Sequence, residues 1–365
     1  MPSHSRNSYK QVSKPDAHEV SGFLQSRILH LHPTRRCNLT CTHCYSTSSP
    51  HEARGVNPST WRQVLPLLRK EGYEQVSLSG GEPLLYEGLE ILVSTAADEG
   101  FRQTLISNGI LISKAGTQVK RLLKQLDGVA ISFDGLAPRH DNIRGRSGVF
   151  QHACNAINVL LDLGVPVAAA ISVTNDGIEE LPDLVYYLVT LGVTAVQIRP
   201  VAAAGRASQK THSLIFSDGE QLRLYLVVKA LAVELGSCIS IHGDLAPARA
   251  LFNQRDSYQK LLSCSPIIGS SKSAALLSDL VNPLVITDTA LMKPVAFDMH
   301  STLDIGHLED LNDISFMQNY QHLGVVRFKA FIHQALQSLA ASSGVIDWFD
   351  YLTRLSHATF SCDLL

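Results

Sequence analysis

The chain has 365 residues, 45% apolar and 18% charged, with a formal net charge of −2 and seven cysteines. That is enough apolar material for one large α/β domain or two smaller ones, and the near-neutral charge gives no polyanion-binding surface, so nucleic acid is not an expected partner. No run of about 18 apolar residues occurs, so no membrane span is predicted.

Residues 1–26 are polar, lack the apolar h-region of a secretory signal, and read as a flexible arm. A cytoplasmic location follows, where thiols stay reduced and clustered cysteines serve metals or chemistry. Residues 27–32, RILHLH, are a predicted strand that runs into CNLTCTHCYS at 37–46. Helices are predicted at 59–70, 85–99, 114–126, 150–163 and 181–191. Strands are predicted at 75–79, 103–107, 129–133, 167–173 and 195–199. This alternation implies a parallel sheet with helices outside. Six β/α units without a sign of closure predict an open, partial TIM-like (β/α)6 barrel, with sites on the loops at the C-terminal ends of its strands.

The character changes near residue 205. A helix is predicted at 222–235, then an irregular Ser- and Gly-rich stretch, SCSPIIGSSKSAALLSD. A hairpin follows at 284–295, and helices at 325–355. The predicted organisation is an arm at 1–26, a partial barrel at 27–207, and a mostly helical α+β extension at 208–365.

Three cysteines, Cys37, Cys41 and Cys44, are spaced C-x3-C-x2-C. Chance gives this spacing in roughly three chains per thousand of such composition. Disulfide pairing does not suit an odd number of thiols in a reducing compartment. A structural zinc site needs four ligands. No second C-x2-C follows, and His43 directly precedes Cys44 and is badly placed to share a metal with it. A thiolate-held iron–sulfur cluster fits better. Three thiolates on a four-iron cube leave one iron open, and an open position keeps room for a substrate.

CNLTCTHC resembles the signature of the radical S-adenosylmethionine (SAM) enzymes. The resemblance implies one 4Fe–4S cluster on Cys37, Cys41 and Cys44, whose open iron chelates the amino and carboxylate groups of SAM. The residue before the last cysteine is usually aromatic and lies near the adenine; here it is His43. Ser79-Gly80-Gly81-Glu82-Pro83 is similar to the family's GGEP. Gly80 and Gly81 let backbone approach a ligand, and Glu82 would accept from the SAM ammonium. Taken alone, the motif also reads as an ordinary turn with a solvated Glu. Ser107-Asn108-Gly109 resembles Thr-Asn-Gly near SAM, and the resemblance implies that Ser107, Asn108 and Ser132, at the end of the fourth strand, would be further SAM contacts. HDNIRGRSGVF at 140–150 resembles the HD-x-x-RG-x-x-G-x-F pattern of peptide- and protein-modifying members, with Arg144 near the SAM carboxylate. His140 and Asp141 read equally well as a local loop network. Gln197-Ile198-Arg199-Pro200 and Gly205-Arg206 also fit that subfamily.

The resemblance implies reductive cleavage of SAM to methionine and a 5′-deoxyadenosyl radical, which abstracts a hydrogen from a substrate C–H bond. A flavodoxin or ferredoxin would supply the electron. No residue is assigned to the substrate step. The extension carries a skeleton similar to SPASM/twitch regions. Pro283-Leu284-Val285-Ile286-Thr287-Asp288 resembles their I-x-P-D-G hairpin, and Ile305-Gly306-His307-Leu308 their L-G-N-I return. Their auxiliary-cluster cysteines are absent: Lys293-Pro294-Val295 stands where a Pro-Cys pair is expected, and Cys154, Cys238, Cys264 and Cys362 are scattered. One cluster per chain is therefore expected, with a degenerate extension that closes the barrel mouth or grips the substrate. The leading substrate is a ribosomally made precursor peptide, crosslinked (as in a cyclophane) or epimerised, with Cys238, Cys264 and Cys362 as candidate hydrogen donors. The alternatives are a small molecule of tetrapyrrole, sugar or antibiotic biosynthesis, or a scaffold without catalysis. The segment before residue 27 is too short for a leader-binding domain, so leader capture is expected on the barrel face or the extension.

Overall fold

The computed structural model describes residues 27–209, 214, 216–263, 275–312 and 324–361. The expected arm at 1–26, Cys264 and Cys362 lie outside the described residues. The six predicted barrel strands are present and mutually parallel: β1 (Ile28–Leu31), β2 (Gln75–Leu78), β3 (Arg102–Ser107), β4 (Gly128–Phe133), β5 (Val167–Val173) and β6 (Ala195–Pro200). Helices α1 (Pro58–Lys70), α2 (Leu89–Asp98), α3 (Thr117–Leu123), α4 (Ala137–Arg144), α5 (Val149–Asp162) and α6 (Leu181–Thr190) fill the crossovers.

Local chemistry explains the helix starts. Asn57 caps α1 by accepting from the Ser59 N–H, Pro58 sits at its first position, and Arg69 and Lys70 occupy its last turn. Trp61, Val64, Leu65 and Leu68 recur at helical spacing and are buried. The predicted helix at 85–99 begins later, at Leu89, because Pro83–Leu85 forms a separate 3-10 turn. The HD-x-x-RG segment is helix α4 rather than loop, and Gly145 ends it at φ +68°.

Strand alternation separates two faces. Leu29, Leu31, Val76, Leu78, Leu105, Ile131, Phe133 and Ile171 are buried in the main core. The other face is small and polar. The register places His30 beside Ser77 and Ser77 beside Thr104, while Ser132, Ala170 and Gln197 form a second row.

The sheet is wider than the six strands predicted. After α7 (Asp218–Leu235), β7 (Ser240–Gly243) joins β6 in parallel. The short β8 (Leu245–Pro247), α8 (Ala248–Asn253), α9 (Gln259–Ser263) and α10 (Leu277–Leu280) follow. The expected hairpin is present as β9 (Leu284–Ile286) and β10 (Leu291–Pro294); β9 pairs in parallel with the free edge of β1, and β11 (Gly306–His307) follows β10. Ten strands thus run in the order β11-β10-β9-β1-β2-β3-β4-β5-β6-β7. Unpaired strand edges expose hydrogen-bonding groups, and the extension covers both edges of the six-stranded core. The predicted helical C-terminal stretch is α11 (Gly324–Ala340) and α12 (Trp348–Phe360), separated by β12 (Val345–Asp347), which pairs with β8. Phe328, Phe331 and Trp348 share one buried core with Leu29 and Leu284.

Candidate cluster and cofactor site

The cysteine loop leaves the C-terminal end of β1. Cys37 is buried in a small apolar group with Leu39, Ile110 and Val149, against which Cys41 packs. Backbone bonds fold the loop back on itself: the Cys37 N–H donates to Ser49 O at 3.0 Å and the Cys44 N–H to Cys41 O at 3.3 Å. The Thr42 N–H reaches Ile143 O on α4 at 2.9 Å. Arg206, from the loop after β6, clamps the same loop. Its Nε donates to Cys41 O and its Nη2 to Ser48 O, both at 2.8 Å, and its own N–H donates to Cys44 O at 3.0 Å. A Cβ on Gly205 would lie 2.4 Å from Cys44 O and 2.2 Å from Tyr45 O, so only glycine allows this approach. The loops after β1 and β6 therefore touch although four strands lie between them in the sheet, which shows the sheet curled into a partial barrel.

Burial pushes the Cys37 thiol up to about 12 and that of Cys41 to about 11. Thiols in this setting become thiolates only beside a cation, which iron supplies. Among the described residues no three His, Cys, Asp or Glu side chains converge on a single ion. A thiolate set that wraps a four-iron cube is necessarily wider than one around a lone metal ion.

Glu82 is the second node. Its side chain is fully buried. It accepts from Ser107 Oγ at 3.0 and 3.1 Å, from the Asn108 N–H at 3.0 Å and from the Leu84 N–H at 3.4 Å. Asn108 Nδ2 donates in turn to Asn38 Oδ1 at 2.7 Å. Glu82, Ser107, Asn108 and the cysteine loop are thus one connected unit. The solvated-Glu alternative is excluded by this burial. Gly80 and Gly81 have a different reason from the one expected. A Cβ on Gly80 would lie 2.6 Å from Thr34 O, and one on Gly81 2.3 Å from Arg36 O. The pair makes room for the chain's own backbone entering the cysteine loop.

Asp134, one residue beyond β4, is the third node. Its Oδ1 lies 2.8 Å from His43 Nε2, and its Oδ2 accepts from Arg144 Nε at 2.6 Å. Burial opposes its charge, but the Arg144 guanidinium and His43 outweigh that and hold the carboxyl well below the usual carboxylate range. The Asp134 N–H donates to His140 Nδ1 at 3.2 Å, and burial lowers His140 to about 3, so its imidazole is neutral. Asp141 accepts from the N–H groups of Gly148 and Phe150 at the start of α5. His140 and Asp141 thus support the local backbone, while Arg144 belongs to the site. Ser132 lies on β4 two residues before Asp134, half-buried.

Residues 31–185 match the Radical SAM superfamily. This stretch of the chain is a Radical SAM domain. The chain is 29% identical over 212 residues to the sporulation killing factor maturation protein SkfB of Bacillus subtilis, covering 57% of this chain and 51% of the relative. It is 27% identical over 241 residues to the Fe-coproporphyrin III synthase of Methanosarcina barkeri, covering 64% and 58%. The chain thus spans about half the length of the curated relatives it matches. Its fold is shared by SuiB of Streptococcus suis, solved with bound S-adenosylmethionine. The TM-score is 0.63 at 13% identity, over 84% of this chain and 68% of that one.

The cofactors of a Radical SAM domain are a 4Fe–4S cluster and SAM, and the residues here fit both. Three thiols share one loop, and desolvation raises Cys37 and Cys41 so far that a cationic partner is needed to ionise them. Burial raises the Glu82 carboxyl to about 7, offset in part by the Asn108 N–H and Ser107. No described Lys, Arg or His forms an ion pair with it, and the SAM ammonium would supply that missing cation. His43 Nδ1 is buried without a partner. Sequence reasoning missed Asp134, two residues beyond Ser132, and it gives Gly205-Arg206 as a motif without the clamp that Arg206 makes. Among the described residues no helix is long and apolar enough to cross a membrane.

Proposed function

We propose that this radical SAM enzyme modifies a ribosomally synthesised precursor peptide, by crosslinking or epimerising it. The observation that carries the reading is the hairpin β9–β10 with its return β11, joined to the free edge of β1 beside the cysteine loop. This extends the peptide-modifying resemblance beyond the barrel, and the relation to a peptide maturation protein agrees with it. The hairpin holds no auxiliary-cluster ligands among the described residues. Where a Pro-Cys pair is expected, Val295, Met299 and Leu303 are buried, and Lys293 Nζ donates to Asp304 Oδ1 at 2.7 Å and to Met299 O at 2.9 Å. Apolar packing and an ion pair occupy that place, in keeping with one cluster per chain.

When bound and reduced, the cofactor pair supplies a 5′-deoxyadenosyl radical that takes a hydrogen from a substrate C–H bond. In this reading Cys37, Cys41 and Cys44 hold the cluster. Glu82 would accept from the SAM ammonium, Arg144 would donate to its carboxylate, and His43 would flank the adenine. Ser107, Asn108 and Ser132 line the same pocket, with the Gly80-Gly81 turn setting the depth of Glu82. Phe297, just after β10, stacks on His32 with ring centroids 4.9 Å apart, and Tyr45 meets both rings edge-on. This aromatic contact joins the extension to the loop after β1 and helps keep water from the site. Burial lowers His32 to about 3, so its ring stays neutral there. Cys238 precedes β7 and lies at the end of the sheet opposite the cluster loop, so it is not a hydrogen donor to this site. A flavodoxin or ferredoxin is the electron donor.

The test is anaerobic turnover of reconstituted enzyme with SAM and reductant, with and without a precursor peptide encoded beside it. Deoxyadenosine that rises with peptide, together with loss of two hydrogens from the peptide, is the crosslinking outcome. Unchanged mass with solvent deuterium incorporated is the epimerising one. Deoxyadenosine indifferent to peptide would overturn the peptide reading. It would favour a small-molecule substrate, the reading supported by the 27% identity to Fe-coproporphyrin III synthase.

A further inference from the structure

We propose that Asp134 is the positioning residue of the SAM pocket in this chain, its two oxygens fixing the His43 imidazole and the Arg144 guanidinium in one arrangement. The inference rests on the reading above that His43 and Arg144 contact SAM.

Three separate elements meet at this carboxylate. His43 comes from the loop after β1, Arg144 from the last turn of α4, and Asp134 from the end of β4. Each oxygen serves one partner, at 2.8 Å to His43 Nε2 and 2.6 Å to Arg144 Nε. The side chains of Asp134, His43 and Arg144 are only 1%, 11% and 7% exposed, so water does not compete for these bonds and their geometry is well determined. Asp134 is itself held by its N–H bond to His140 Nδ1, and His140 is fully buried against Phe133 and Phe150. The support therefore runs from the core through His140 and Asp134 to the two pocket residues.

The need for this carboxylate comes from His43. A phenyl ring before the last cysteine asks nothing of its neighbours. An imidazole has two nitrogens, and a buried one must be satisfied or its ring will turn toward whatever satisfies it. A carboxylate only accepts, so Nε2 carries the proton of the His43–Asp134 bond. The ring plane is thereby set, and Nδ1, buried and unpartnered, is carried on the opposite edge. The same carboxylate takes only the Nε–H of Arg144, and the guanidinium has four further N–H donors to offer an anion.

The experiment compares Asp134→Ala and Asp134→Asn with the parent after reconstitution, alone and combined with His43→Phe. It reads iron and sulfide content, circular dichroism, SAM dissociation constant, and the change in the electron paramagnetic resonance spectrum of the reduced cluster on adding SAM. The expected result is parental iron content and fold in Asp134→Asn. SAM binding should weaken roughly ten- to a hundredfold in Asp134→Ala and less in Asp134→Asn, with an altered spectral response. Because a phenyl ring has no use for the carboxylate, Asp134→Ala should cost less in the His43→Phe background than in the parent. Asp134→Asn that folds, holds iron, binds SAM as the parent does and gives the parental spectral change overturns the proposal. So does an Asp134→Asn that loses iron and fold, since the residue would then act on the scaffold rather than on SAM. If His43→Phe and Arg144→Ala themselves leave SAM affinity unchanged, the failure belongs to the assignment of those two residues, and the proposal falls with it.

Discussion

The loops at the ends of β1 to β4 and the hairpin β9–β10 are neighbours on one sheet, yet they are built by opposite rules. The first region buries Glu82, Asp134, Arg144 and His140 beside the partly buried His43, with Glu82 lacking an ion-pair partner among the described residues and His43 Nδ1 and His140 Nε2 lacking any bond. The second buries Val295, Met299 and Leu303 and closes the half-buried Lys293 ammonium with two bonds. Buried groups with incomplete partners destabilise a fold unless a ligand completes them, which is why they gather at functional sites. The contrast says that the first region is shaped for what binds there, and the second for holding the barrel edge.

The largest expected effect separates the two regions outright. Replacing Cys37, Cys41 or Cys44 by Ala should reduce reconstituted iron from about four per chain to near zero and abolish deoxyadenosine formation, with the far-ultraviolet spectrum retained. A variant that still loads a full cluster would break the comparison.

Glu82→Gln tests the same contrast through pH. Burial raises the Glu82 carboxyl from 4.5 to about 7, so the folded protein keeps this proton where the unfolded chain has lost it. Its contribution is therefore fully present below about 4.5, declines as pH rises to about 7, and is flat above. Without cofactors, Glu82→Gln should lose that slope and be more stable than the parent at pH 8, by up to about 3 kcal/mol. With cofactors the order reverses. The SAM ammonium favours the ionised carboxylate, so SAM binding at pH 6 should release a proton in the parent and none in the variant, which should also bind SAM roughly tenfold more weakly. Denaturant melts across pH, and binding calorimetry in buffers of different ionisation enthalpy, read both halves.

Arg206→Ala removes the two side-chain bonds to Cys41 O and Ser48 O. A loss of about 1–3 kcal/mol in the order of the cysteine loop is expected, read as faster loss of iron to a chelator while the melting temperature moves little. Equal chelation rates would place the loop's rigidity elsewhere. The smallest effect on cofactors should come from Lys293→Ala. It leaves Asp304 and Met299 O unpaired and should cost about 1–3 kcal/mol of stability with iron content and chelation rate unchanged. A change in iron there would erase the distinction between the two regions.

Much of this was legible in the chain itself. The C-x3-C-x2-C spacing identifies three thiols that must share a loop, because a few residues cannot separate them. Strand alternation and crossover lengths are local properties, and they placed the six barrel strands and the hairpin within a few residues. The added strands β7 and β9 were not legible as sheet members, since a short apolar run does not say which edge it will cover. The Gly-Gly pair reads in sequence as making room for a ligand, whereas its Cβ positions are filled by the backbone at Thr34 and Arg36.

What only the tertiary structure decided are the meetings between distant segments. Residues 43, 134 and 144 share one carboxylate, and Arg206 reaches back over 150 residues to the cysteine loop. Each side chain's face is set by the period of its own strand or helix, and the sequence by itself determines that. Which loops then touch depends on how far the whole sheet curls, the sum of many small twists between neighbouring strands, and no single segment encodes it.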